Sequence, residues 1–540
     1  MLNVALDLTR NPYDPGHHPL VTTGGVVAAS QPDAVEAGLT MLRRGGNAVD
    51  AALATAIALT VVEPVSNGIG SDAFALIWDG RELHGLNGSG RAPGALSIEA
   101  VHAAGHHSIP SLGWLPVTVP GAPAAWRDLH ARFGKVPFAD LFGPAIELAE
   151  KGFHVTPIIA GEWAYGTQMH SQMRPPEFSG WMPTFAPGNT MVHSGALWAS
   201  PDHAATLRRM AQAGVDDFYT GRIAEGIAAF SKRTGGFITT QDLAAHTSTW
   251  VKPISVHYRG YDVWEIPPNG QGIAALISLN ILEGLDVAQQ PRDTTKSFHM
   301  QIEAMKLGFA DALNYVADPE FVDVPVEKLL DKRYAARRRS LIGEHAITPR
   351  SGDPYSGGTV YLCTADRDGM MVSYIQSNYV GFGSGIVVPG TGISLQNRGS
   401  CFTLDPEHPN RLQPGKRPYH TIIPAFMTRD GQAVGPFGVM GAFMQPQGHL
   451  QMVSNTIDYA MNPQASLDAP RWQWTGGRQV MIEADIDRDI AYGLLRLGHE
   501  VSLAEPGGAF GRGQIIWRLP SGDYVAGSDK RGDGHAGAVS

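Results

Sequence analysis

Ser356-Gly357-Gly358-Thr359-Val360-Tyr361-Leu362-Cys363 is the stretch whose reading decides the rest of the chain. A threonine follows two glycines and heads an alternating, β-prone run, which continues to the tight-turn sequence Asp366-Arg367-Asp368-Gly369. A second run, Met370 to Gln376, leads into a glycine-rich loop, Gly381-Phe382-Gly383-Ser384-Gly385. Strand, Asp-Gly turn and strand predict a β-hairpin. Two readings of Thr359 fit these residues. It is a β-branched residue at an ordinary strand start, or a nucleophile exposed by cleavage of the Gly358–Thr359 bond. In the second reading the new α-amine, with a reference pKa of roughly 7.7–8, acts as base for the adjacent hydroxyl. Gly357 and Gly358 suit such a cut, because unsubstituted backbone reaches the strained geometry that hydroxyl attack on the preceding carbonyl requires.

Working outward, Ala346 to Gly358 is polar, with Pro349, Pro354 and glycines, a linker composition. Upstream, helices are expected over Asp33–Arg44, Asp50–Val62, Ala122–Phe133, Phe138–Lys151, Pro201–Gly214, Gly221–Gly235, Gly270–Leu282, Thr294–Val316 and Val326–Ile342. Ala73–Trp78 and Arg81–Leu86 read as strands about Asp79-Gly80, and His257–Ile266 as one strand. Met169–Pro201, rich in Met, Trp, Pro and Gly without periodicity, reads as an irregular surface segment. Downstream of Thr359 come strands, helices near Gln447–Tyr459 and Asp487–Leu497, and closing strands. Periodicity supports a mixed helix-and-sheet class.

The 540-residue length is ample for a large core, and the net charge of -10 argues against a nucleic-acid partner. The N-terminus lacks a basic segment and a long apolar core, so no signal peptide is expected. The longest apolar stretch, Ala51 to Val62, is too short to span a bilayer. The expectation is a soluble, cytoplasmic protein that does not engage a membrane. Cys363 and Cys401 have neither metal spacing nor a disulfide framework and read as small buried hydrophobes. Gly68-Ile69-Gly70-Ser71-Asp72-Ala73 and Gly270-Gln271-Gly272-Ile273-Ala274-Ala275 match a dinucleotide pattern, but the first follows a helix and the second follows Pro267-Pro268 with no acid evident at the end of a next strand, so tight turns are the reading. The histidines at 17–18 and at 102, 106 and 107 lack H-E-x-x-H spacing. No metal or cofactor is expected.

Ordered stretches from Gly24 to Ala536 resemble the γ-glutamyltransferase family of N-terminal-nucleophile hydrolases. They include Gln31-Pro32, Glu36-Ala37-Gly38, Gly45-Gly46-Asn47-Ala48-Val49-Asp50-Ala51-Ala52, Glu63-Pro64, Gly68-Ile69-Gly70, Val119-Pro120-Gly121, the Gly381–Gly385 loop, Val388-Pro389-Gly390-Thr391-Gly392-Ile393 and Pro414-Gly415-Lys416-Arg417-Pro418. The resemblance implies an α+β class, four-layer αββα sandwich. It also implies self-cleavage into a large, helix-rich piece (1–358) and a small piece (359–540) that begins with the nucleophile. The two fragments are expected to remain one αββα unit, as a heterodimer or a dimer of these.

Carried over residue by residue, the resemblance puts the nucleophile at Thr359, the hydroxyl that holds its amine at Ser377, and the oxyanion-hole N–H groups at Gly441 and Ala442. A single such donor is worth on the order of 3 kcal/mol in related acyl transfer. The substrate pocket departs from the family. Its arginine position is Ser89, with Arg91 two residues on; its acidic position is Cys401; its glutamine position is Arg398; its Ser-Ser pair is His420-Thr421; and its asparagine position is Tyr379, beside Asn378. An ammonium group loses its carboxylate partner at Cys401, while Arg398 adds a fork for a carboxylate. This predicts a small-molecule amide with a carboxylate or oxo-acid end and no α-ammonium. Phe402–Gln413 is short where longer relatives carry a lid, which favours hydrolysis over transfer. Asn397-Arg398-Gly399-Ser400-Cys401-Phe402 resembles the branch with oxamate amidohydrolases and cephalosporin-acylase-like enzymes, and oxamate fits the inferred pocket. The alternatives are a γ-glutamyltransferase with a rewired pocket and an unprocessed, non-enzymatic binding scaffold.

Overall fold

The structure, a computed structural model, describes residues 1–174, 176–349, 359–505 and 507–539. The expected cleavage residue Gly358 and most of the linker lie outside the described residues; Thr359 lies within them.

Two seven-stranded antiparallel sheets face each other. Edge to edge, the first runs His535–Ala538, Val26–Ala29, Val360–Ala365, Met371–Ser377, Asp72–Trp78, Leu83–Gly88 and Thr249–Val251. The second runs Leu20–Thr22, Tyr524–Ser528, Arg512–Arg518, Gln432–Met440, Ala425–Arg429, Tyr261–Glu265 and Ile254–Tyr258. The central strands bury both faces, while the edge strands stay partly exposed. Val26, Phe74, Tyr361, Ile375, Phe426 and Ile516 fill the layer between the sheets. Val360, Leu362 and Val372 pack outward among the helices Pro32–Arg43 and Ala48–Val62. On the other side Val263, Phe437 and Val439 pack among Gly272–Leu282, Thr295–Tyr315 and Met444–Ile457. Helices, sheet, sheet and helices make the four-layer αββα, α+β sandwich. Both sheets interleave strands from before and after Thr359, so the two segments share both sheets.

Ala48–Val62 is buried along its whole length, because alanine lets it lie flat between the first sheet and the outer helices. It begins in a capping box in which Asn47 and Asp50 each accept the other's backbone N–H. Among the described residues no helix is long and apolar enough to cross a membrane.

Three expectations need correction. The segment from Met169 to Pro201 is irregular and largely exposed, as expected, but it is not only a surface feature. Trp181, Phe185 and Trp198 are buried, and Trp181 stacks on His170 at 4.2 Å; aromatic side chains supply core here without a periodic pattern. The run His257–Ile266 is a hairpin, Ile254–Tyr258 and Tyr261–Glu265, turned by Arg259 and Gly260, both at positive φ. The helix expected over Val326–Ile342 is two, Val326–Leu329 and Lys332–Arg339. The Asp331 carboxylate caps the second by accepting from Arg333 and Tyr334 N–H.

Candidate active site

The hairpin builds the centre of the site. Val360 pairs with Gln376, so the register carried one step further sets Ser377 opposite Thr359. Asp366, whose carboxylate accepts the Asp368 and Met370 N–H groups, locks the turn that fixes this register. Ser377 pairs in turn with Asp72 on the next strand. Thr359, Ser377 and Asp72 therefore form a row across three neighbouring strands, on the face turned toward the second sheet. All three are fully buried. Thr359 Oγ1 lies 3.0 Å from Ser377 Oγ. Ser377 Oγ also accepts the Tyr379 N–H at 2.8 Å and an Arg398 Nη2–H at 3.3 Å.

Arg398 organises the next shell. It is fully buried, donates from Nη1 to Thr421 Oγ1 at 2.5 Å, and lies 4.3 Å over the Tyr379 ring. Tyr379 takes a positive φ of 79°. Among the described residues, Arg398 donates to the Thr421 and Ser377 hydroxyls and also reaches the Cys401 thiol, and none of its side-chain hydrogen bonds goes to a carboxylate. The nearby acid is Asp72, which accepts the Gly90 and Gly121 N–H groups on one oxygen and His420 Nε2–H at 3.0 Å on the other. Burial pushes the Asp72 carboxyl up to about 7, against the pull of Arg398. Burial, aided by Arg398 and Arg417, holds His420 well below its ordinary pKa. The His420–Asp72 contact is thus a hydrogen bond from a neutral imidazole. Burial also raises the Cys401 thiol, so that residue presents no charge.

Gly441 and Ala442 follow the second-sheet strand Gln432–Met440, at φ of 131° and 49°. Their N–H groups make no hydrogen bond among the described residues, while the Ala442 carbonyl accepts Gln271 Nε2–H at 2.8 Å. The same Gln271 amide donates to the Thr421 carbonyl at 2.6 Å, so one side chain ties this turn to the Arg398 shell. A left-handed turn just before a helix leaves backbone donors available for an oxyanion.

The remaining expected residues stand elsewhere. Asn378 is spent on structure, accepting from Ser71 Oγ at 2.9 Å and donating to Ser394 Oγ at 3.1 Å. Ser89 is buried against Asn87 and Asn269. Arg91 is committed to Glu320 at 2.6 Å and the Gly415 carbonyl at 3.0 Å. Of the two arginines weighed from sequence, Arg398 alone contacts the Thr359–Ser377 pair. Asp72 and Gln271 were missed, although each sits inside one of the glycine motifs. Those motifs are tight connections: a Cβ on Gly70 would lie 2.1 Å from the Ser394 carbonyl oxygen.

A second buried cluster, away from these residues, joins His299, Glu303, Lys306 and His499. Lys306 Nζ donates to Glu303 at 2.7 Å and faces His499 Nδ1 at 3.4 Å; His499 Nε2 lies 2.8 Å from His299 Nδ1, and His299 Nε2 lies 3.0 Å from the Gly343 carbonyl. Glu303 and Lys306 also bind the backbone of Ile347. The histidine and carboxylate atoms lie close enough to hold a metal. One directed chain of donors from Lys306 to Gly343 nevertheless satisfies them, and the cluster grips residues 343–347.

Comparison with known proteins gives consistent results. The family model described as Gamma-glutamyltranspeptidase matches residues 34–539. The "Glutathione hydrolase-like YwrD proenzyme" of Bacillus subtilis (strain 168) is 34% identical over 514 residues, covering 93% of this chain and 96% of that one. The "Oxamate amidohydrolase proenzyme" of Klebsiella pneumoniae is 34% identical over 536 residues, covering 96% and 99%. The crystal structure of cephalosporin acylase from Bacillus halodurans superposes with a TM-score of 0.94 at 53% identity, covering 99% of both chains.

Proposed function

Because this chain belongs to the gamma-glutamyltranspeptidase family, we propose that it is a self-cleaving N-terminal-threonine amidohydrolase acting on amides whose acyl part ends in a carboxylate, such as oxamate. Cleavage at Gly358–Thr359 frees the Thr359 amine. That amine takes the proton of the Thr359 hydroxyl, which attacks the amide carbon to form an ester, with Ser377 holding the amine. The Gly441 and Ala442 N–H groups stabilise the oxyanion. The C–N bond breaks, the leaving amine takes up the proton, and water then hydrolyses the ester to release the acid and restore the hydroxyl. The two pieces stay associated, since separating them would break both sheets.

The observation that carries this reading is Arg398. A fully buried guanidinium bonded to hydroxyls beside the nucleophile pair is a ready partner for a substrate carboxylate. The second reading, γ-glutamyl transfer, draws on Asp72 as an acid for an α-ammonium. Both Asp72 oxygens already accept protein donors, which favours the first reading. Ammonia release from oxamate, set against γ-glutamyl-p-nitroanilide turnover with and without glycylglycine, tests the choice. Turnover of the γ-glutamyl donor accelerated by glycylglycine, with none of oxamate, would reverse it.

A further inference from the structure

A cavity of about 680 Å³ opens beside the site, and the mechanism above does not use it. Three of its lining residues are chain neighbours of site residues: Val380 follows Tyr379, Asn397 precedes Arg398, and Met440 precedes Gly441. The cavity therefore borders the segments that carry Tyr379, Arg398 and the oxyanion turn. Its walls are largely apolar, with Phe382, Met169 and Tyr165 among the larger side chains. The charged wall is a matched set. Arg512 bonds to Glu162 and lies 3.5 Å from Glu63, so the acids already claim the one cation there. Glu63 is buried next to the wall, with its carboxyl raised by burial to about 7, and the Arg512–Glu162 pair leaves the wall itself, among the described residues, without a free cation. Such a wall offers a carboxylate no partner and tolerates an amine.

We propose that this cavity holds the amine side of the scissile amide, and that the preferred substrates are N-substituted amides whose leaving amine carries an apolar group of several carbons. The proposal rests on the amidohydrolase reading and extends it. Charge fixes the orientation: the acyl carboxylate goes to Arg398 and the apolar amine to the cavity. Size supports the same assignment. A site of this volume is in the range that encloses drug-sized groups, whereas ammonia leaving from oxamate would occupy about one water's share, roughly 30 Å³. The chemistry is unchanged except that an alkylamine departs in place of ammonia.

The test is a series of N-alkyl oxamates from methyl to hexyl, in which leaving-amine basicity stays nearly constant while apolar area grows. Each buried methylene should raise kcat/KM about fourfold until the cavity is filled. Gly161 and Gly508 line the cavity, and a Cβ on either meets nothing within 4 Å. Gly161→Phe and, independently, Gly508→Phe should cut the hexyl-to-methyl ratio by at least about tenfold. The same series is run on a γ-glutamyl acyl group. A rising series there with no turnover of any oxamate would overturn the oxo-acid reading and leave the cavity assignment standing. A flat series, or none turned over, on both acyl groups would overturn the cavity assignment, as would a ratio unmoved by both variants.

Discussion

Replacing Arg398 with methionine separates the role assigned to its charge from any role in folding. The side chain is fully buried, and the change removes the contacts to Ser377 and Thr421 and the stacking over Tyr379. Ser377 keeps Thr359 and the Tyr379 N–H as partners. Methionine fills similar volume and relieves a buried cation of its desolvation, so stability should change by no more than about 2 kcal/mol. A substrate carboxylate, by contrast, would be buried without its partner, at a cost of about 3–5 kcal/mol. That corresponds to a loss in kcat/KM for oxamate of roughly 200- to 5,000-fold. Oxamide, which has no carboxylate, should lose less than about tenfold. The assay is ammonia release from both amides, with urea denaturation on the same preparations. The variant also removes the cation that opposes the rise of Asp72. In the wild type the folded state holds the Asp72 proton up to about 7, against about 4 in the unfolded chain, so both proteins lose stability alike between those values; the variant keeps the proton to higher pH, and its extra loss of stability should appear as pH rises above about 7. Equal losses for oxamate and oxamide would refute the reasoning, since they would make Arg398 a structural support for Ser377 instead of a carboxylate partner.

Other consequences are open to measurement. Gln271→Met strips the donor from the Thr421 and Ala442 carbonyls and should cost about 2–4 kcal/mol in urea denaturation; a neutral result would remove Gln271 as the tie between the two halves of the site. Gly38→Ala would drive a Cβ to 2.3 Å from Thr55 Oγ1 where two helices cross, and should destabilise by about 1–3 kcal/mol, with partial rescue by Thr55→Ala. His203 is fully buried and held at about 4 by burial. The unfolded chain takes up a proton there below about 6.5 while the folded chain does not, so His203→Leu should gain up to about 3 kcal/mol relative to the wild type as pH falls from 6.5 to 4. A stability difference independent of pH would contradict this.

The hairpin could be read from sequence because everything that sets it is local. The Asp-Gly turn fixes the register, and the register alone puts Ser377 opposite Thr359. The buried helix Ala48–Val62 was legible for the same reason, its composition permitting no exposed face. Which arginine serves the site was not legible. Arg91 and Arg398 look equivalent along the chain, and only the fold commits Arg91 to Glu320. Asp72 and Gln271 escaped notice because they act on His420 and Ala442, 348 and 171 residues away. The glycines around them drew attention to a cofactor pattern. Trp181 and Phe185 read as surface from sequence because aromatic packing in a short, kinked segment leaves no period to detect.

The central claim is that Thr359 is a nucleophile released by the chain itself. Intact mass with N-terminal sequencing of the purified protein tests it directly, alongside Thr359→Ala. The account predicts two fragments held together, the smaller beginning Thr-Val-Tyr-Leu, and an uncut Thr359→Ala chain without activity. A wild-type chain that stays single over days, or a Thr359→Ala chain that still divides at this bond, would contradict it.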